Sequence, residues 1–215
     1  MSQRSDCLWR LLGVLIVVTL ICSPFSAAGN GFAPFSFESA MNGQSGSLLI
    51  DDFSKDNGAS SFGTQWRMFT DQVMGGVSTA KWNYETIDGR RCLRLRGDVS
   101  LANNGGFVQI GLPLTRDGWP FDASSFKGVR VWARGNGEAY SIHLRSGDSR
   151  LPWQYYGAEF VANGSWQKFD IPFSAFVPEG LEAELRPDRL VRIAVVAIRK
   201  EFKADIAVAR LEFYR

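Results

Sequence analysis

The chain has 215 residues, 45% of them hydrophobic and 13% aromatic, with a formal net charge of +2. That content supports one domain with a real core and excludes a disordered or low-complexity chain. The near-neutral balance gives no electrostatic case for an anionic surface, so no nucleic-acid partner is expected.

Arg4 and Arg10 flank the start of an apolar run from Leu11 to Cys22, and Ser26 and Ala28 are small residues three and one before a cut after Ala28. This layout predicts a secretory signal over residues 1–28 and an exported protein, periplasmic or secreted. The apolar run has 12 residues, short of the roughly 20 needed to span a bilayer. Left uncut, the segment would act as an anchor. Cleavage removes Arg4, Arg10 and Asp6, lowering the net charge from +2 to +1, together with Cys7 and Cys22. Cys92 then stands alone and no internal disulfide can form. Residues 29–47 are rich in Gly, Ser, Asn and Ala and read as a flexible lead-in, with Phe32, Phe35 and Phe37 available to touch the domain. A single domain is expected over residues 48–215.

Regular structure is expected from Leu48. The stretch TDQVMGGVS (residues 70–78) sets two adjacent glycines among strand signals. Next, CLRLRG alternates, with Leu93 and Leu95 facing in and Arg94 and Arg96 out. VRVWAR puts Val129, Val131 and Ala133 on one face and Arg130, Trp132 and Arg134 on the other. YSIHLR aligns Tyr140, Ile142 and Leu144. KFDIPF directs Phe169, Ile171 and Phe173 inward, and RIAVVAIR is apolar on both faces, as in a central strand covered on both sides. RLEFY closes the chain with Leu211 and Phe213 inward. Asp88-Gly89, Gly135-Asn136-Gly137 and Asn163-Gly164 read as hairpin turns needing positive φ. PFSAFVPEG and LRPDRL hold a helical turn each, and no longer helix is expected. About eight to ten short strands predict an all-β, antiparallel β-sandwich with little helix.

Little in the chain points to catalysis. VMGGVSTAKW lacks the lysine of a phosphate-binding loop and runs into a strand, and no dinucleotide fingerprint occurs. Gly75 and Gly76 therefore read first as backbone that a Cβ would obstruct, and second as a surface for a partner. One histidine, His143, cannot form a metal cluster, and no cofactor is expected. Asp51, Asp52, Asp71 and Asp98 are available oxygen ligands for calcium, but no spacing demands a site. His143 shares a strand face with Ser141 and Arg145 and reads as solvated or hydrogen-bonded rather than as a catalytic base. Cys92 reads as a small strand residue. The aromatics are the richest resource. Trp153, Tyr155 and Tyr156 cluster in LPWQYY, and Trp132 sits between Arg130 and Arg134 with cation–π packing in reach. Trp132, Trp153 and Tyr155 are candidates for an aromatic platform for a sugar or a protein.

Several stretches carry a family likeness: DDF at 51–53, Trp66 followed by DQVMGGVS at 71–78, LANNGGFVQI at 101–110, and GSWQKFDIPFSAFVP at 164–178. In this order they resemble the NADH:ubiquinone oxidoreductase intermediate-associated protein family, assembly factors of respiratory complex I, over about residues 48–214. The resemblance implies a galactose-binding-like jelly roll and a non-enzymatic role with a protein partner, a membrane respiratory complex or its assembly intermediates. It assigns the signature loops to Asp71, Met74, Gly75, Gly76 and Ser78, and to Asn103, Asn104, Gly105 and Gly106. Here Phe176-Val177-Pro178 leads into EGLEAELRPD where the family carries an Arg-Gly stretch. The mitochondrial members act on the matrix side, whereas the leader predicts export. A carbohydrate-binding module is the alternative reading. The two double-glycine loops are expected to lie together.

Overall fold

The computed structural model describes residues 46–55 and 57–215. The expected signal and most of the lead-in, including Phe32, Phe35 and Phe37, lie outside the described residues. Twelve strands follow one another: β1 (Ser47–Asp51), β2 (Arg67–Thr70), β3 (Thr79–Ile87), β4 (Arg90–Val99), β5 (Phe107–Pro113), β6 (Gly128–Gly135), β7 (Ala139–Ser146), β8 (Tyr155–Val161), β9 (Gln167–Pro172), β10 (Val177–Glu179), β11 (Leu190–Ile198) and β12 (Phe202–Tyr214). Among the described residues helical geometry is confined to short 3-10 turns, two of them at Phe173–Ala175 and Pro187–Arg189, within the two segments where the sequence expects a helical turn.

The strands form two antiparallel sheets of six. The first runs β3-β4-β12-β6-β9, with β1 also paired to β12; the second runs β10-β8-β7-β11-β5-β2. The period-2 alternation explains the sandwich between them. Val129, Val131 and Ala133 of β6, Leu93 and Leu95 of β4, Tyr140, Ile142 and Leu144 of β7, and Ile193, Val195 and Ala197 of β11 all enter one buried cluster. Their neighbours point out. On the first sheet these are largely charged: Arg94 grips Asp205 through two bonds of 2.6 and 2.7 Å, and Arg130 grips Asp170 through two of 2.5 and 2.9 Å. Such face-exposed pairs add little individually, but they give Arg94 and Arg130 matching acids.

Asp88-Gly89 closes β3 onto β4 with φ of 50° and 73°, the tight hairpin turn the dipeptide predicts. The other two turn signals behave differently. Gly135-Asn136-Gly137 leads from β6 in the first sheet to β7 in the second, and Asn163-Gly164 leads from β8 in the second to β9 in the first. Both are corners that carry the chain across the sandwich, not hairpins, and they brace each other: Gly135 N–H donates to the Asn163 carbonyl at 2.7 Å and Gly137 N–H to that of Ala162 at 2.9 Å. Turn residues permit reversal of direction but do not say which sheet receives the next strand. The doubly apolar strand, β11, is central as expected, between β7 and β5. Among the described residues no third layer covers it. Its outward Ala194 and Val196 are nevertheless only 3% and 1% exposed, so this outer face is recessed along its middle.

Candidate functional site

At one end of the sandwich, chain segments 71–78 and 100–107 meet around a single carboxylate. Asp71 opens a 3-10 turn, Asp71–Met74, that Thr70 caps by accepting from Gln72 N–H and that Gly75 ends at φ 90°. The Asp71 side chain is fully buried. Its Oδ1 accepts from Ser78 N–H at 2.9 Å, and its Oδ2 accepts from Ser78 Oγ at 2.5 Å, Gly106 N–H at 2.6 Å and Phe107 N–H at 3.3 Å. Burial alone would raise the carboxyl; these donors, the Ser78 hydroxyl first, outweigh it and hold the group below the ordinary carboxylate range. Ser78 extends the connection, because its Oγ accepts from Ser100 N–H at 2.9 Å.

The glycines make room for this carboxylate. A Cβ on Gly76 would stand 2.3 Å from Asp71 Cγ, and one on Gly105 would stand 2.5 Å from Asp71 Oδ2. Gly106 adopts φ 129° and turns its N–H onto the same oxygen. The two double-glycine loops therefore do lie together, joined by a buried charge that satisfies the amides of both. Asp71, Gly76, Ser78 and Gly106 are interior, and much of what the latch presents to solvent is apolar. Val73 is 72% exposed, Met74 57%, Val77 46% and Leu101 47%. Asn103 is also exposed, in a left-handed conformation at φ 57°, and Asn104 lies in the same Ala102–Asn104 turn. Of the signature residues, then, Met74, Gly75 and Asn103 are outward, while Asp71, Gly76, Ser78, Gly105 and Gly106 position them. Val73, Val77 and Leu101 were not singled out by the sequence. The available signal was four apolar residues in short loops otherwise made of Gly, Asn, Gln and Ser, where nothing in a strand pattern requires them.

The aromatic candidates do not share a surface. Trp132 is on the outer face of the first sheet, with the Arg130 guanidinium 5.9 Å from its ring centre, the cation–π packing its spacing predicts. Tyr155 is on the outer face of the second sheet, and Trp153, 58% exposed, stands just before β8. Tyr156 is fully buried in the core, because it has the opposite parity to Tyr155. Among the described residues His143 has no hydrogen-bond partner, and its ring is largely removed from solvent. It lies under Tyr155, rings parallel and 3.7 Å apart, and is 7% exposed. Burial, with the positive charge of Arg199, pushes its pKa down to about 3, so the ring is neutral at physiological pH. A neutral imidazole stacked face-on and lacking a carboxylate or serine partner is poorly arranged for proton transfer.

Among the described residues no group of three or more His, Cys, Asp or Glu side chains is placed to hold a metal ion. Asp51 accepts the Trp66 indole N–H at 2.8 Å and Asp52 accepts from Ser54, so these acids are employed within their own loops. Cys92 is buried on the outer side of β4 with Ala207, Ala209, Ile87 and Trp166. A surface recess of about 500 Å³ lies on the first sheet and includes Arg90, Arg130, Trp132, Arg210 and Glu212.

The sequence matches the family model described as Complex I intermediate-associated protein 30 over residues 52–204. No protein with a curated description matches it in sequence. Among solved structures, it is similar to a family 11 carbohydrate-binding module from Clostridium thermocellum in complex with a β-1,3-1,4-mixed-linked tetrasaccharide, with TM-score 0.60 at 14% identity, covering 80% of this chain and 97% of that one. A family 30 carbohydrate-binding module of cellulase Cel9D-Cel44B from the same organism aligns with TM-score 0.56 at 13% identity, covering 77% and 95%. At such identities the likeness is one of fold, and it places the sandwich among jelly-roll, galactose-binding-like modules.

Proposed function

We propose, from the premise that this chain belongs to the Complex I intermediate-associated protein 30 family, that it is a non-catalytic module that binds a protein partner through its latched loops. The observation that carries this reading is the exposed set Val73, Met74, Val77 and Leu101, mounted on a buried, fully hydrogen-bonded carboxylate. Exposed apolar side chains on an ordered frame lose little conformational entropy on docking, which is what a protein-binding patch requires. The family description suggests that the partner is an assembly intermediate of respiratory complex I, and the leader suggests that the domain meets it outside the cytoplasm.

Affinity purification from the membrane and periplasmic fractions tests the reading. The tagged wild-type protein should retain respiratory subunits. A variant carrying Met74→Asp and Leu101→Asp should fold normally and lose them. Equal recovery by both proteins would refute the loop surface as the contact.

A second reading, carbohydrate binding, is favoured by the exposed Trp153 beside the Tyr155–His143 stack on the second sheet. Retention on a polysaccharide array that disappears on Trp153→Ala, without capture of respiratory subunits, would support it over the first.

A further inference from the structure

We propose that the outer face of the second sheet carries an oxyanion site built from Arg145 and Arg192, with Arg67 adding its charge from the next row, which takes a phosphate or carboxylate group. Arg192 of β11 and Arg145 of β7 are directly opposite each other in the ladder. Arg67 of β2 is one row away, aligned through Gly111 of β5 with Ala194 of β11. Like charges facing each other across neighbouring strands are destabilising. Elsewhere on this molecule such arginines are matched: Arg94 by Asp205 and Glu85, Arg130 by Asp170 and Glu212. Among the described residues Arg67, Arg145 and Arg192 have no ion pair with any acid. Arg192 lies against the Phe69 ring at 5.4 Å, and Arg145 spends one nitrogen on the carbonyls of Ser149 and Leu151 at 2.7 and 2.9 Å.

Those two carbonyl bonds fix the Arg145 guanidinium, yet its Nε is buried with no hydrogen-bond partner. A buried, charged donor without an acceptor is costly. Arg145 and Arg192 also line a recess of about 210 Å³ with Pro113, Thr115, Gly118 and Val191, large enough for a phosphate-sized group. Burial lowers both guanidinium values below their ordinary one, reinforced at Arg145 by the charge of Arg192 and at Arg192 by that of Arg67. An oxyanion there would relieve the repulsion and offer the oxygens that a planar donor fork matches. The site is at the start of β2, whereas the latched loops follow its end, so it stands apart from the proposed protein contact.

The test is thermal unfolding of the full chain in sodium phosphate, sodium glutarate and sodium chloride at matched ionic strength. At about 10 mM, phosphate, glutarate or both should raise the midpoint by about 3 °C over chloride. Response to only one of them assigns that group to the site. Arg192→Gln and Arg67→Gln, chosen because neither anchors a loop, should abolish the shift while leaving the anion-free midpoint equal or higher. Chloride acting as well as the oxyanions, or variants that are less stable and keep the shift, would overturn the site.

Discussion

Gly76→Ala is a one-carbon change with a specific expected consequence. The added methyl would sit 2.3 Å from Asp71 Cγ and 2.4 Å from Oδ1, and Gly76 φ is not one that alanine resists, so the obstruction is the carboxylate itself. To admit the methyl, the carboxylate must leave Ser78 N–H and Gly106 N–H, its shortest amide bonds at 2.9 and 2.6 Å. A buried donor left without an acceptor costs about 1 to 3 kcal/mol, so the variant should lose about 3 to 5 kcal/mol. Asp71→Ala orphans the same donors and should lose a similar amount. The double variant should lose little more than Asp71→Ala alone, because the group obstructing the methyl is gone and a single 2.7 Å contact to the Asp71 Cβ remains. A coupling nearly as large as the whole Gly76→Ala cost, about 3 kcal/mol or more, follows. Urea denaturation read by tryptophan fluorescence measures it, with Trp66, buried and bonded to Asp51, as a reporter inside the core. Costs that add to within about 0.5 kcal/mol would refute the idea that Gly76 exists to make room for Asp71.

Two further outcomes are expected. His143 has a folded-state pKa of about 3 against an ordinary 6.5, so between those values the unfolded chain binds a proton that the folded chain does not. Stability should therefore decline as pH falls from 6.5, approaching about 1.4 kcal/mol per pH unit below that value, and His143→Phe should flatten the profile between pH 6.5 and 4.5. An unchanged slope there would show that the ring is already hydrated. Cys92 is buried, its thiol donates to the Glu85 carbonyl at 3.3 Å, and burial followed by the nearby Glu85 charge raises its pKa. It should react with a thiol reagent only at the rate of global unfolding; prompt labelling of the native protein would refute its placement.

The parts of the fold legible in the sequence were those set by local parity. Leu93 and Leu95 face the core and Arg94 and Arg96 face out because successive side chains of a strand alternate, and that needs no knowledge of neighbours. β2 and β10, of four and three residues, are too short to show alternation. Strand order was not legible either. Trp132 and Tyr155 both read correctly as outward residues, yet they belong to different sheets. Asn163-Gly164 read as a positive-φ hairpin turn, but neither residue adopts positive φ and the chain there crosses the sandwich. The loops were legible as unusual, and their proximity was expected from shared glycine chemistry and family likeness. Their linkage was not, because Gly106 is 35 residues beyond Asp71 and only closure of the fold brings its N–H onto the carboxylate. The Arg145–Arg192 juxtaposition was hidden for the same reason: each arginine alone looks like an ordinary solvated residue of its strand.

The pairing of β1 with β12 sets Ser47 opposite Tyr214, so the polypeptide enters and leaves the domain at one corner. β12 starts beside the latched loops, where Glu201 accepts from Leu101 N–H, and its 13 residues run away from them. At about 3.3 Å per residue that strand measures about 40 Å. The strand ends at Ser47 and Tyr214 therefore lie at the pole opposite the apolar loops, and a partner seated on those loops leaves that corner clear.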